Sequence, residues 1–386
     1  MKTKKVRLGL IGAGGMGNAH LGNLPKIKNV ELTAVCDIVK EKAVQTAATH
    51  KCASFVDHKE LLKAKMCDAV LIATPHYGHT TIGIDALKAG LHVLVEKPIS
   101  VHKADCERLI AAHQKKGQVF AAMFNQRTDP HYRKIKQMLE RGDLGKLDRI
   151  TWVITNWFRT ESYYASGGWR ATWAGEGGGV LLNQCPHNLD LWQWLFGMPD
   201  TVRGFCSIGR KHDIEVEDEV TAHLGYQNGC TGVFITSTGE APGVNRLEIA
   251  GEHGRLTLEN GDLRFIRNEV SAIDFLRDSP EAFSSPAVWD IQIPINGYGG
   301  QHLEVLQNFI DAIVDRAPLI APAREGINSV ELGNAMLYSS ETGKTVAMPL
   351  NAKAYEAMLK NKIKNSRFVK KTRVVAHQDL SQSVKQ

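Results

Sequence analysis

Short apolar runs alternate with helix-like stretches along the first 125 residues. The predicted strands are 6–11, 31–36, 69–73, 92–95 and 119–124. The predicted helices between and after them are 17–24, 40–49, 79–89 and 103–116. Strands that alternate with helices predict βαβ units, which form a parallel sheet with right-handed crossovers.

The pattern changes after about residue 145, where strand-like runs follow one another without helices between them. The predicted strands are 147–157, 202–208, 219–226, 229–237, 246–250, 255–259 and 263–267. Asn-Gly turns separate some of them, which predicts an antiparallel sheet. Helices at 187–196, 301–316 and 325–342 make this second domain α+β.

The chain length also favours two domains. Single cores stop growing near about 250–300 residues, and this chain has 386. We expect an α/β domain with a parallel sheet at 1–125 and an α+β domain with a large antiparallel sheet at 126–352. The second domain would bind substrate and form oligomers, and a basic C-terminal tail would occupy 353–386.

Composition and charge exclude several classes of protein. With 43% hydrophobic and 23% charged residues, the chain has the balance of a soluble globular protein. The net charge is +6, but basic residues are spread along most of the chain and form no recognised nucleic-acid module. The exception is 360–373, with seven basic residues and no acidic one. We expect this tail to be solvated or to contact a partner, and we expect no nucleic acid.

Seven scattered cysteines, with no CxxC pair, indicate neither a zinc site nor a disulfide framework. We therefore expect a reduced, cytoplasmic protein without a metal. The basic N-terminus leads into an apolar run that breaks at Gly12 without a cleavage-type site, so we predict no export. No run of about 18 apolar residues is present, so we predict no membrane contact.

A glycine-rich loop follows the first predicted strand. Gly12, Gly14 and Gly17 form a Gly-x-Gly-x-x-Gly motif, with Gly15 and Met16 inside it. The motif lies between a strand and a helix at the start of the βαβ pattern, which predicts a dinucleotide-binding Rossmann domain. The helix N-terminus would bind the phosphates. A glycine turn without a ligand is the alternative.

Asp37 ends the second predicted strand, 20 residues after Gly17. An acidic residue there binds the ribose 2′-OH and repels a 2′-phosphate, which favours NAD over NADP. A helix cap is the alternative for Asp37. Thr74 and Pro75 end the third main strand and are predicted to line the nicotinamide ribose site, or to form a simple turn.

Two further residues could carry chemistry. Lys97 follows Glu96 at the carboxyl end of a parallel strand, where open α/β sheets bind ligands, and its amine could stabilise a developing alkoxide. His187 follows Pro186 at a predicted helix start, where the dipole disfavours the charged ring and leaves a base. Alone, Lys97 could equally be an exposed lysine and His187 a structural histidine.

The chain resembles the glucose–fructose oxidoreductase and inositol dehydrogenase (Gfo/Idh/MocA) family. The resemblance runs over about 5–350 and lies in the glycine loop, Asp37, the Glu96-Lys97-Pro98 box and the stretch 177–190. It implies a Rossmann domain, an antiparallel α+β domain, a nicotinamide cofactor, and sugar or cyclitol substrates. It also implies that Lys97 and His187 are the catalytic residues. We further expect Glu96, Lys97 and Asn125 to bind the cofactor.

One residue departs from the family pattern. Many members carry an Asp four residues before the His, where this chain has Asn183. Asn183 can bind a substrate hydroxyl but cannot accept a proton. We therefore expect His187 to handle the proton, and Lys97 to have a lower pKa than in those relatives. The sequence from Asn183 to His187 is similar to that of the subgroup that oxidises glucosides, including at C3.

Substrate contacts are predicted around the same cleft. A glycine-flanked segment rich in aromatic and polar groups would form the substrate wall, since aromatic rings pack on the faces of sugars. Arg127 would contact sugar or cofactor, or pair with an acid. His302 would reach the substrate, or only start a helix. The predicted substrate-binding residues are Asn183, Arg127, Asn156, Arg159, Tyr163, Trp169 and His302.

The sequence thus favours an NAD-dependent dehydrogenase acting on a secondary alcohol carbon of a sugar, glycoside or cyclitol. One alternative is an enzyme that recycles bound NAD for oxidation-assisted elimination or glycoside cleavage. Another is a non-catalytic NAD-binding sensor. An antiparallel sheet with one uncovered apolar face also predicts a homo-oligomer, a tetramer or larger.

Overall fold

The structure is a computed structural model that describes residues 5–373. Its first sheet contains β1 (Val6–Ile11), β2 (Val30–Cys36), β3 (Ala53–Phe55), β4 (Ala69–Ile72), β5 (His92–Val95) and β6 (Phe120–Ala122). All neighbouring strands are parallel, in the order β3-β2-β1-β4-β5-β6. The strand order reverses between β1 and β4, and in such sheets ligands bind outside the carboxyl ends of the strands at that point.

Five helices connect these strands: α1 (Gly15–Asn23), α2 (Lys40–His50), α3 (His58–Lys63), α4 (His76–Lys88) and α5 (Lys103–Ala111). The predicted α/β architecture with a parallel sheet is confirmed. Sequence periodicity missed β3 and α3, because three and six residues are too short to show a period. The helix predicted over 103–116 ends at Ala111, ahead of a polar segment that closes at Gly117 with a positive φ.

The second sheet has nine strands: β7 (Leu147–Ile154), β8 (Thr201–Ile208), β9 (Glu217–Gly225), β10 (Thr231–Ser237), β11 (Asn245–Gly251), β12 (Gly254–Glu259), β13 (Asp262–Asn268), β14 (Val288–Ile293) and β15 (Val346–Ala347). Their order is β14-β13-β12-β11-β7-β10-β9-β8-β15. The pairs are antiparallel except β7 with β10, which is parallel. The predicted antiparallel sheet is therefore confirmed, with β14 and β15 added.

The remaining helices are α6 (Pro130–Glu140), α7 (Glu161–Ala165), α8 (Val180–Asn183), α9 (Pro186–Phe196), α10 (Ala272–Asp278), α11 (Gln301–Val314), α12 (Gly326–Thr342) and α13 (Ala352–Asn365). Helices α9, α11 and α12 confirm the predicted ones. Helix α6 was missed. Within residues 5–373, no helix has the length and apolarity needed to cross a membrane.

One face of the nine-stranded sheet is buried under helices. Trp152 of β7 and Phe234 of β10 pack against Trp192 of α9, with ring centroids 6.5 Å and 5.9 Å from it. Helix α12 lies so close to β8 that a Cβ at Gly204 would come within 2.3 Å of the Met336 carbonyl oxygen. Outside this buried face, the sheet exposes apolar side chains, namely Phe205, Ile208, Val288 and Trp289.

The chain returns to the first sheet after β14. The N–H of Ala122 donates to Ala321 (3.0 Å), and Leu306 and Phe309 of α11 join the core that contains Leu8 of β1. Residues that follow β14 thus pack against the parallel sheet of the first part of the chain. The division at residues 125 and 352 stays a prediction.

The segment after α13 lies on the loop that contains α7. The main-chain N–H of Arg373 donates to the carbonyl of Ala165 (3.0 Å), and Lys370 donates from Nζ to the carbonyl of Tyr164. Lys371 pairs with Asp213 at 3.1 Å. Within 353–373 the predicted tail is therefore helix α13 followed by a contacting segment, and the rest of it lies outside the described residues.

The junction of α12 with the second sheet should dominate stability. Leu332 on α12 is fully buried (0% exposed), whereas Leu276 on α10 is 86% exposed. We expect Leu332→Ala to lower the free energy of unfolding by about 2–5 kcal/mol, because it removes buried apolar area and leaves a cavity. Leu276→Ala, the same change on an exposed helix face, should cost less than about 0.5 kcal/mol. Urea denaturation measures both, and equal losses would contradict the packing described.

Candidate active site

The glycine loop leaves room for a dinucleotide. Gly12 has φ +99°, and a Cβ there would lie 2.6 Å from the carbonyl oxygen of Ala73. A Cβ at Gly17 would lie 1.9 Å from the carbonyl oxygen of Gly12. At Gly14, by contrast, a Cβ would meet no atom within 4 Å. The first and third glycines are thus needed for close packing, and the second faces open space at the start of α1, as pyrophosphate binding requires.

Asp37 is held beside this loop. Its carboxylate accepts from the N–H of Ala13 (2.9 Å) and from the N–H of Val39 (2.8 Å). The neighbouring Ile38 is 91% exposed. The carboxylate therefore lies at the carboxyl end of β2, next to the loop, where it fits the ribose hydroxyls of NAD.

The nicotinamide end of the crevice contains the other predicted cofactor residues. The hydroxyl of Thr74 is buried without a hydrogen-bond partner among the described residues, and Pro75 caps α4. Asn125 donates from Nδ2 to Gln301 (2.7 Å), while its Oδ1 is likewise unpartnered in the described part of the chain. Buried polar atoms without partners are rare in proteins, so these two fit a site built for a polar ligand.

Glu96 is joined to α1 by a buried histidine, His20, that no local motif predicts. His20 Nε2 lies 2.6 Å from Glu96 Oε1, and Glu96 Oε2 accepts from the N–H of Lys97 (3.1 Å). Burial alone would raise the pKa of Glu96, but the hydrogen bond from His20 and the positive charges of His20, His302 and Lys97 lower it to about 2. The carboxylate thus stays ionised and fixes the start of the Lys97 segment.

Lys97 and His187 lie close enough for the charge of one to shift the pKa of the other. Lys97 follows β5 and donates from Nζ to the carbonyl of Asn183 (2.8 Å). Burial is the largest cause that lowers its pKa, followed by the charges of Arg170 and Arg159. His187 lies in the first turn of α9 after Pro186, as predicted.

The His187 imidazole is neutral near pH 7. Burial lowers its pKa well below the ordinary value, and the charges of Lys97 and His302 lower it further. Its Nδ1 has no hydrogen-bond partner among residues 5–373. His302 also lies in this cluster, 5.7 Å from the His20 ring, and burial with the charges of His20 and Lys97 lowers the pKa of His302 to about 4.

The predicted substrate wall comes together around Tyr163. Its hydroxyl donates to Asn183 Oδ1 (3.1 Å) and accepts from Arg170 (2.6 Å). The Arg170 guanidinium lies 4.4 Å from the Tyr163 ring centroid and 4.7 Å from that of Trp169. Arg159 lies 5.2 Å from the Tyr163 ring centroid. Asn156 lies two residues after the end of β7 and one residue before Trp157, over which Arg159 also lies.

Arg127 is not part of the substrate wall around Tyr163. Its guanidinium makes two hydrogen bonds to Asp190, of 2.7 Å and 2.6 Å, and a third to Glu325 of 2.5 Å. The side chain is 1% exposed. Of the two alternatives that the sequence left open, the structure therefore has the ion pair with an acid, and a guanidinium so enclosed cannot contact a sugar.

Two matches to known families show which protein family the chain belongs to. Residues 6–124 match the oxidoreductase family with an NAD-binding Rossmann fold, and residues 132–257 match the GFO/IDH/MocA C-terminal domain. Together they take in well over half of the chain. The chain belongs to the Gfo/Idh/MocA oxidoreductase family. The resemblance drawn from the motifs is confirmed, and NAD is the cofactor that fits the loop and Asp37.

Members of the Gfo/Idh/MocA family with named substrates are similar to the chain over most of its length. Myo-inositol 2-dehydrogenase of Thermotoga maritima is 26% identical over 89% of this chain and 98% of its own. The WlbA dehydrogenase of Chromobacterium violaceum, solved with NADH and UDP-GlcNAcA, is 26% identical, with a TM-score of 0.78 over 91% of this chain and 98% of its own. Levoglucosan dehydrogenase, solved with NADH and levoglucosan, is 21% identical over 89% of this chain and 100% of its own, and its TM-score of 0.73 shows the fold alone.

Sequence reasoning missed several groups around this Gfo/Idh/MocA site: the buried His20, Glu176 and Glu217 and the half-buried Arg170. None belongs to a local motif that we recognised, and each is brought in by tertiary packing. Glu217 of β9 is fully buried, and its Oε1 accepts from the N–H groups of Gly179 (2.8 Å) and Leu181 (3.1 Å). Burial raises its pKa to about 7.

The raised pKa of Glu217 makes stability depend on pH. A carboxyl group whose pKa is higher in the folded state contributes stability below its unfolded pKa, ordinarily 4.5, and loses it as pH rises through about 7. We expect Glu217→Gln to become more stable relative to the natural protein between pH 5 and pH 8, by up to about 3 kcal/mol. Thermal unfolding at both pH values measures this.

The control for that experiment is Glu41→Gln on the exposed side of α2, which should show no such pH-dependent gain. A difference between the Glu217→Gln variant and the natural protein that stays constant from pH 5 to pH 8 would contradict the raised pKa.

Proposed function

We propose that this protein transfers a hydride between NAD and a secondary alcohol carbon of a sugar, glycoside or cyclitol, with C3 of a glucoside as one candidate position. The single observation that supports this most is that Lys97, at the carboxyl end of β5, donates from Nζ to the carbonyl of Asn183, four residues before His187 in the first turn of α9. The two come from separate segments of the chain, and only folding brings them together.

His187 is proposed as the base. Because its pKa lies well below neutrality, the ring is already unprotonated and can accept the proton of a substrate hydroxyl without first losing one. A low pKa also makes a weak base, so the alkoxide that forms needs a second stabilising group. Lys97 supplies it: its ammonium group can donate to the same oxygen in a site where charge is poorly screened.

When bound, NAD would supply the carbon that accepts the hydride. The residues of the chain are proposed to hold the substrate so that its reacting carbon faces that position, and Asn183, Tyr163 and Trp169 line the wall that does so. Such positioning can contribute more to the rate than the proton transfer itself.

The relatives support a polyhydroxylated substrate. The Thermotoga maritima relative is named for myo-inositol, and the Chromobacterium violaceum structure contains UDP-GlcNAcA, which carries a carboxylate. Arg159 and Arg170 flank Tyr163, and guanidinium groups can donate to hydroxyls or to an acid. The substrate screen should therefore pair neutral sugars with their uronic acids.

The decisive experiment screens sugars, glycosides, uronides and cyclitols with NAD and with NADP while following the absorbance of the reduced cofactor. With a responding substrate, Lys97→Ala and His187→Ala should each lower turnover by about 10²–10⁴-fold and leave NAD affinity nearly unchanged. Lys88→Ala, an exposed lysine at the end of α4, is the control and should behave as the natural protein does.

Three results of that screen would count against the proposal. Normal turnover in either active-site variant would mean that the chemistry lies elsewhere. Conversion of a glycoside without accumulation of NADH would favour the alternative in which bound NAD is recycled. Tight NAD binding with no turnover of any compound would favour a sensor.

We also propose that the protein is a cytoplasmic homo-oligomer, a tetramer or larger, assembled through the exposed apolar side chains of the nine-stranded sheet. All seven cysteines are free, as expected of a reducing compartment. Phe205 and Ile208 are exposed on β8, toward one end of the sheet, and Trp289 is exposed on β14 at the other end. Exposed apolar surface can mark an interface.

Light scattering coupled to size-exclusion chromatography tests the assembly. We expect a mass several times that of the 42.6 kDa chain. The double variant Phe205→Glu/Ile208→Glu should shift to smaller species, because it would bury charges at the interface. Leu276→Glu, also an exposed apolar position but on α10, should not. A natural protein that elutes as a monomer would refute the proposed interface.

A further inference from the structure

A buried carboxylate lies behind the residue that departs from the family pattern. Glu176 is 1% exposed, and its Oε1 accepts a hydrogen bond from Asn183 Nδ2. Its Oε2 accepts from the N–H of Ala171 (2.6 Å). Ala171 has φ +58°, a conformation that is unfavourable for a residue with a side chain and that turns its N–H toward Glu176. The loop is therefore built to seat this carboxylate.

Asn183 connects that carboxylate to the predicted active-site lysine. Its main-chain carbonyl accepts from Lys97 Nζ (2.8 Å), and its side-chain oxygen accepts from the hydroxyl of Tyr163 (3.1 Å). With Nδ2 committed to Glu176, the amide has one orientation, because an ionised carboxylate can only accept. One residue thus transmits the position of Glu176 to both Lys97 and the substrate wall.

We propose that Glu176 supplies, from seven residues upstream, the carboxylate that position 183 lacks, and that it acts as a positioning residue by fixing the Asn183 amide and the Lys97 amine against the substrate hydroxyl. This inference rests on the proposed dehydrogenase function. Glu176 does not touch the substrate, because it is enclosed by its own loop and by Asn183.

The charges around Glu176 fit this role. Burial raises the pKa of Glu176, and the charge of Arg170 and the hydrogen bonds from Ala171 and Asn183 oppose that rise. Glu176 in turn raises the pKa of Lys97 against the effect of burial. Several charged or titratable groups face Glu176 from different elements. They are Arg170 from its loop, Lys97 after β5, Tyr163 and Tyr164 of α7, Lys370 after α13, Glu217 of β9, and His76 of α4, which donates from Nδ1 to the Glu176 main-chain oxygen.

Exchanging the two side chains tests the proposal. In Glu176→Gln, the new amide cannot accept from both Asn183 and Ala171, so one donor loses its partner, and kcat/KM should fall by about 10–100-fold. Asn183→Asp places a second carboxylate against Glu176, and two carboxylates that share a site cannot both ionise easily. Its loss at pH 7 should be at least as large.

The double variant Glu176→Gln/Asn183→Asp should recover. The amide of the new Gln can donate to the new Asp and accept from the N–H of Ala171. Every hydrogen bond is then restored, and only the one between the two exchanged side chains runs in the opposite direction. We expect kcat/KM within about tenfold of the natural enzyme. A double variant as poor as the product of the two single losses, or single variants with natural kinetics, would overturn the proposal.

A second measurement needs no turnover and separates this inference from the proposed function. Reductive ¹³C-methylation of lysines lets NMR follow the Lys97 resonance through its titration, with Lys97→Ala identifying the signal. Removing the negative charge in Glu176→Gln should lower the pH at which Lys97 titrates, because Glu176 raises the pKa of Lys97. Glu161→Gln, an exposed carboxylate in the same loop, should not.

An unchanged Lys97 titration in Glu176→Gln would refute the coupling, whatever the substrate proves to be. A shifted titration in a protein that turns over no sugar would leave the coupling intact and remove only the proposed dehydrogenase function.

Discussion

A buried guanidinium sets the relation between the two halves of the active site. Arg127 follows the last parallel strand and binds Asp190 on α9 and Glu325 just before α12. A buried arginine must keep both partners, because loss of one leaves an uncompensated charge in a low-dielectric interior. Asp190 is one turn after His187 on the same helix. The ion pair therefore fixes the helix that carries the imidazole against the sheet that carries Lys97.

The electrostatics of the site follow from this arrangement. Lys97, Arg159 and Arg170 approach one another in a partly buried cleft, with Glu96 and Glu176 as the nearby buried acids. Burial, and after it the neighbouring positive charges, lower the pKa of Lys97 and of His187, whereas the hydrogen bond from His20 keeps Glu96 ionised. The protein thus holds a neutral imidazole beside an ammonium group near neutral pH, a pair that can accept a proton and stabilise the oxygen that loses it.

Local sequence was sufficient to locate the cofactor site but insufficient to locate the buried groups that support the active site. The glycine loop and Asp37 could be located because their function depends on short-range geometry at a strand end. Helix α6 was missed even though Asp129 and Pro130 mark its start and Tyr132, Ile135 and Met138 recur at helical spacing, so a signal was present. His20 and Glu176 had none, since each acquires its meaning only from a partner far away in the chain.

The one parallel pair in the second sheet has a consequence for how the chain reaches this structure. The central strand β7 pairs with β10 through Arg149 and Thr231, and with β11 through Thr151 and Glu248. Both partner strands are synthesised well after β7. Until then, the two edges of β7 have no strand to pair with. Closing such long loops is slow, and unpaired edges invite association with other chains. Helix α9 lies between β7 and β10 in the sequence, so the helix that carries the imidazole is synthesised before the two strands that pair with β7.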